Sequence, residues 1–227
     1  MLTCDRLKKT FRDKTAVADI SFTIADGELF ALLGRNGAGK TTTIKMILGL
    51  LPKDNGDIHI TEGVRIGYSP ETPYFPGYLS GSQVLGYYGR IQGLKRSELS
   101  AEIKRVMQAV GLRPDKTKVK DYSKGMLQRL AMAQALLGDP EMLVLDEPTA
   151  GLDALGRLEF VESLRQMKAS GKTIILNSHI LSDVERVCDR AVIIDAGRIV
   201  YEWSQADSSG QTLEAVFLKS IGRTSHE

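Results

Sequence analysis

One string, Gly34-Arg35-Asn36-Gly37-Ala38-Gly39-Lys40-Thr41, constrains this chain more than any other feature of its sequence. It fits the pattern G-x-x-x-x-G-K-[ST]. Glycines in that pattern let backbone N–H groups curl around phosphate oxygens, and the helix that follows adds partial positive charge. Lys40 is expected to reach the β- and γ-phosphates of a nucleotide, and the Thr41 hydroxyl to take a place on Mg²⁺. An apolar run at 29–33 reads as a buried strand, and a helix is expected over about 39–48, so the loop lies between strand and helix. Residues 34–42, with Thr42 included, form the candidate nucleotide-binding segment. A glycine-rich loop without a ligand is the competing reading, and this placement argues against it.

Composition narrows the setting. The chain has 227 residues, 42% apolar and 26% charged, which gives one large domain enough material for a core and excludes a fibre or a disordered tail. The net charge of +2 is too near neutral to imply nucleic acid as a partner. Cys4 and Cys188 are the only cysteines, so no disulfide framework is expected and a reducing compartment is the default. No apolar run approaches the roughly 20 residues that span a bilayer. The first residues, MLTCDRLKKTFRDK, hold charges and no apolar centre, unlike a signal peptide. A cytoplasmic chain is expected, with any membrane role coming through a partner.

Along the chain, 17–24 carries Ile20, Phe22 and Ile24 on alternate positions, the pattern of a half-buried strand. Five of the seven tyrosines (68, 74, 78, 87 and 88) fall in a proline-bearing stretch from about 68 to 93. A helix is expected from Ser97, with Leu99, Ile103, Val106, Met107 and Val110 inward and Gly111 as its stop. Ser123 reads as the N-cap of a helix through Leu137, with Leu127, Leu130, Ala131 and Leu137 inward. The last third alternates: strand 143–145, helix 154–168, strand 173–176, helix 181–188, strand 191–194, then a hairpin into 199–201. Ser182 and Glu185 have capping-box spacing, and 213–218 is expected to form a closing helix. The fold class is therefore α/β, a mainly parallel core with an inserted helical block. The helical subdomain is expected at about 70–138, the core at 1–69 and 139–205, and a tail at 206–227.

Further residues carry chemistry. The apolar strand at 142–145 ends in Asp146 and Glu147. In a phosphate-loop protein an acid at the tip of a neighbouring strand can hold the metal, which suits Asp146. Glu147, one residue on, suits a general base acting on a water in line with the γ-phosphate. Ser123-Lys124-Gly125 opens a helix and so offers a second anion-binding end, one completed by another subunit. His179 follows strand 173–176 and is expected at the sheet edge that carries Asp146, in reach of a γ-phosphate. His59 and His226 have no such support.

Taken together these residues resemble the ATP-binding cassette (ABC) ATPases over nearly the whole chain. The family's six motifs appear in order as GRNGAGKT (34–41), YSPE (68–71), YSKGM (122–126), LVLDEP (143–148), AGLD (150–153) and NSHI (177–180). The resemblance implies a P-loop cassette with an antiparallel β subdomain and a helical subdomain, binding ATP and Mg²⁺. It places Phe11 against the adenine, Glu147 as catalytic base and His179 on the γ-phosphate. It implies a head-to-tail homodimer in which Ser123 and Gly125 of one copy bind the γ-phosphate held by Lys40 of the other, and Asp153 contacts the partner copy. It further implies an integral membrane permease as a separate chain, exporter-like, with the cassette on the cytoplasmic face of the membrane and no nucleic acid as partner. Two departures stand out. Glu71 occupies the position where the family has glutamine, so a candidate metal ligand there brings an added negative charge. The signature, usually LSGGQ, reads YSKGM. The segment 122–140 is also similar to the ATPase of the system that matures nitrous oxide reductase. A soluble ABC ATPase working on a macromolecule, and a P-loop kinase with a small acceptor, are the alternatives.

Overall fold

The computed structural model of the chain describes residues 1–207 and 211–223. His226 and the end of the tail lie outside them. The described residues form two compact units, one of residues 1–64 with those from 173 onward and one of residues 65–172.

The first unit is built on β1 (Leu2–Phe11), β2 (Lys14–Ile24), β3 (Leu29–Gly34), α1 (Lys40–Ile47) and β4 (Asn55–Ile60). Its strands run in the order β4-β1-β2-β9-β8-β3-β7, with β7 (Thr173–Asn177), β8 (Arg190–Asp195) and β9 (Arg198–Ser204) coming from the far part of the sequence. β3 pairs in parallel with β7 (Leu32 opposite Asn177) and with β8 (Gly34 opposite Ile194). The β1–β2, β1–β4 and β8–β9 pairs are antiparallel, so the expected parallel core and antiparallel part are both present. Every residue of β3 and of β7 is buried, which is why their apolar runs read so plainly as strands. Phe22 of β2 stacks on Phe30 of β3 with centroids 5.1 Å apart.

β1 carries no clean alternation, and the cause is local. Leu2, Cys4 and Leu7 are its buried apolar residues, but the pairing with β2 shifts between Cys4 and Leu7, where Arg6 has φ 46°. A bulge that adds one residue breaks the two-residue period on which a sequence reading depends. Burial pushes the Cys4 thiol up to about 12.

The second unit holds β5 (Ile66–Ser69), α2 (Gly81–Ile91), α3 (Arg96–Ala109), α4 (Lys124–Ala135), β6 (Met142–Asp146) and α5 (Ala154–Ala169). β5 and β6 are parallel, with Ser69 opposite Leu145, and Arg65 clamps the pair by donating to the Glu141 carboxylate at 2.6 Å. α2 was not expected from the tyrosine-rich stretch. Its N-cap box is nonetheless in the sequence: Ser80 Oγ accepts from Gln83 N, and the Gln83 side chain accepts from Ser80 N at 2.9 Å. Glycines 81, 86 and 89 on its buried side blur the apolar stripe.

Two expectations are corrected in the first unit. The helix expected over 181–188 is α6 (Leu181–Glu185), and past it Val187 N bonds to Val184 O three residues back, a tighter turn than the α-helix makes. Its N-cap is Ile180 without a side-chain bond, so Ser182 and Glu185 do not make a capping box. Glu185 instead accepts from Leu213 N at 2.9 Å and ties down α7 (Leu213–Arg223).

Candidate functional site

The candidate residues fall into two groups, one in each unit. In the first, β3 delivers the chain into the loop at Gly34, and α1 begins at Lys40 with Gly39 as its N-cap. Gly39 has φ 111°, and a Cβ there would lie 2.4 Å from the Ala16 carbonyl, so glycine is required both by conformation and by the close pass of β2. Lys40 is only 6% exposed. Its ammonium donates to the carbonyls of Gly34 at 2.8 Å and Arg35 at 3.2 Å, which anchors the charge inside the loop it serves. Ala38 N closes the turn on Arg35 O at 3.1 Å, leaving Arg35, Asn36 and Gly37 exposed at its crown. Thr41 and Thr42 are half-buried in the first turn of α1, which carries no acidic residue. The positive end of the helix is thus unopposed from within its own first turn.

Parallel pairing of β7 with β3 brings their ends to one edge, and exposed His179 follows two residues after Asn177. Phe11 ends β1 opposite Lys14, two residues from the Ala16 carbonyl that touches the loop. Its ring is 46% exposed with the Lys9 ammonium 5.7 Å from the centroid. Phe11, residues 34–42 and His179 therefore share one unit and one side of its sheet.

In the second unit Asp146 ends β6 and Glu147 follows it, and both are buried. β5 runs parallel beside β6, so Glu71, two residues past its end and exposed, leaves from the same edge. Tyr68 reports both carboxylates: burial first, then the charges of Asp146 and Glu71, push its phenol up to about 12. Ser123 is the N-cap of α4 as expected, accepting from Met126 N at 3.2 Å, and α4 also has no acidic residue in its first turn. Gly125 stands against the turn at 150–153; a Cβ there would lie 3.3 Å from Gly151 O and from Leu152. The two motifs YSKGM and AGLD are thereby side by side. Asp153 is exposed and caps α5, its carboxylate accepting from Gly156 N at 2.7 Å. That bond is local and gives the residue a structural task of its own.

The reading of α4 missed one residue. Gln128 is 2% exposed, and its amide donates to Glu147 O at 3.1 Å. Leu127, expected inward, is half-buried. The available signal was a polar side chain set among the apolar residues of an inward face.

Each unit carries an oxygen donor of the kind a magnesium ion takes. Among the described residues no cluster of three or more His, Cys, Asp or Glu could cage a metal. Thr41 and Asp146 offer hard oxygen donors, and Mg²⁺ is commonly bound by one or two such groups together with phosphate oxygens. No helix among the described residues is long and apolar enough to cross a membrane.

The sequence matches the family described as ABC transporter over residues 17–150, more than half of the chain. It is 45% identical over 193 residues to an uncharacterized ABC transporter ATP-binding protein of Nostoc sp. strain PCC 7120, covering 79% of this chain and 57% of that protein. The chain thus spans little more than half the length of that relative. It is 36% identical over 243 residues to the ABC transporter ATP-binding protein NatA of Bacillus subtilis strain 168, covering 98% of this chain and 99% of NatA. The fold is similar to that of the ATP-binding cassette MJ0796, solved as a dimer in a post-hydrolysis state bound to ADP and Pi. The TM-score is 0.84 at 19% identity, covering 90% of this chain and 99% of that one. With a family match across residues 17–150 and a relative aligned almost end to end, the chain belongs to the ABC transporter family.

Proposed function

We propose that the chain is the ATP-binding and ATP-hydrolysing subunit of a membrane transporter, driving a permease made as a separate chain. The observation that carries the ATP site is Lys40, whose ammonium is buried within the loop on the Gly34 and Arg35 carbonyls beside a helix start free of acidic residues. Backbone N–H groups of 35–41 and the Lys40 charge hold the β- and γ-phosphates, and Phe11 stacks on the adenine. Glu147 takes a proton from the water that attacks the γ-phosphorus, the bond to the β–γ bridging oxygen breaks, and ADP and phosphate leave. His179 holds the γ-phosphate. Thr41 and Asp146 would hold Mg²⁺, with Glu71 as a further candidate, and the bound ion would neutralise charge on the phosphates.

The exposed start of α4 supports the dimer. Ser123 and Gly125 would contact the γ-phosphate on a second copy, with Asp153 beside them, so that ATP favours the closed pair by binding both faces. Tyr74, Tyr78 and Tyr87 are 89%, 74% and 55% exposed in the stretch that begins at about Tyr68. Apolar rings with polar tips are enriched in protein interfaces, which supports this stretch as the permease-docking surface. Such a subunit works on the cytoplasmic face of the membrane.

Phosphate release from ATP by the purified chain tests the reading. Turnover is expected with ATP and Mg²⁺ alone and should fall to background when EDTA removes the metal. Turnover that begins only when a small hydroxyl acceptor is supplied would point to a kinase.

A further inference from the structure

Among the described residues five other than glycine have a left-handed backbone: Arg6, Arg12, Asp139, Glu147 and Ala196. Four are exposed; Glu147, at φ 49°, is the buried one. Residues with a side chain rarely occupy that region, and they persist there only where their surroundings hold them. Two donors hold this one through its carbonyl, the Ala150 N–H at 3.1 Å and the Gln128 Nε2 at 3.1 Å. The first belongs to the same turn. The second comes from another element, α4, whose other buried side chains are Leu130, Ala131, Met132, Ala133 and Ala135. A leucine or methionine would fill the place of Gln128 without burying an amide, so the donor is what the amide adds there.

We infer that Gln128 is a positioning residue: its amide fixes the left-handed turn at Glu147 and so sets the direction in which the catalytic carboxylate leaves the chain. The inference rests on Glu147 being the base. It has a mechanical consequence. α4 begins at Ser123 and Gly125, the residues assigned to the γ-phosphate on the second copy. Movement of that helix reaches Glu147 of its own chain through the Gln128 bond, which links occupancy of one site to the geometry of the base of the other.

The test compares the full-length protein with Gln128→Met, which keeps the volume, and Gln128→Leu, which is a little smaller; neither side chain can donate. Turnover, KM for ATP, binding of a fluorescent ATP analogue and thermal midpoint are measured, with Glu147→Gln in parallel. Both Gln128 variants are expected to lose about ten- to a hundredfold in kcat, the range expected when a buried acceptor loses one of its donors. KM and analogue binding should stay near those of the unaltered protein, because the bond sets the direction of the base and does not touch ATP, and the midpoint should fall by a few degrees at most, the cost of one buried hydrogen bond. Unchanged kcat in both variants, with Glu147→Gln inactive, overturns the positioning role while the base assignment stands. Full turnover in Glu147→Gln overturns the base assignment itself. A kcat loss matched by equal losses in binding and midpoint means a purely structural role and also overturns the inference. Should neither variant fold, exchange of the Gln128 side-chain amide protons in the unaltered protein decides: they are expected to exchange far more slowly than those of an exposed glutamine, and exchange at the exposed rate overturns the clamp.

Discussion

Glu147→Gln is expected to bind ATP and fail to hydrolyse it, with phosphate release down by about 10²- to 10⁴-fold, the usual contribution of a general base. The substitution keeps shape and leaves the backbone carbonyl on Gln128 and Ala150. On the proposed mechanism it removes the group that accepts the proton of the attacking water, together with one negative charge beside the γ-phosphate. Lower turnover with retained ATP holds the closed pair. Gel filtration with ATP and Mg²⁺ is therefore expected to shift Glu147→Gln from one chain to two, and the unaltered protein to shift less. A variant that still releases phosphate at the full rate would remove Glu147 from the chemistry. A silent variant that stays a single chain with ATP would remove the closed dimer.

The second large effect is expected one step earlier. Lys40→Ala takes away the charge proposed to meet the β- and γ-phosphates, and it leaves the Gly34 and Arg35 carbonyls without a donor they share in the folded loop. Hydrogen bonds to charged groups are worth about 1.5–3 kcal/mol each, so loss of two or more to the phosphates weakens ATP by at least about a hundredfold. Equilibrium binding of a fluorescent ATP analogue reads this directly, and turnover at fixed ATP should vanish with it. Because Lys40 is 6% exposed, the thermal midpoint is measured alongside to confirm that the fold persists. Unaltered binding in a folded Lys40→Ala protein would refute the phosphate loop. The pair separates binding from chemistry: Lys40→Ala loses both, and Glu147→Gln loses chemistry alone.

What the sequence made legible follows from where its periodicity survives. β3, β6 and β7 are buried on both faces, and their uninterrupted apolar runs mark them. The loop at 34–41 and the helix after it are written in glycine spacing and one lysine. β1 was hidden by its bulge at Arg6, and α2 by glycines on its packed side, although the Ser80–Gln83 box stood in the sequence. Ser182 and Glu185 show the opposite failure, a correct spacing without the structure: the Glu185 carboxylate is taken by Leu213 N, a partner far along the chain. The candidate site divides in the same way. Positions 34–42, Asp146, Glu147 and Ser123 could be read from motifs. The left-handed backbone of Glu147 and its bond to Gln128 could not, because a dihedral angle and a contact between two elements leave no periodic trace.

The central claim is that this chain drives a separate membrane permease, and its most direct test is purification of the tagged chain from detergent-solubilised membranes. The account predicts that a multi-span membrane protein comes with it in fixed stoichiometry and that ATP turnover of the complex is retained. A chain that leaves the membranes alone, soluble and hydrolysing ATP would contradict the transporter role and favour a soluble ATPase acting on a macromolecule.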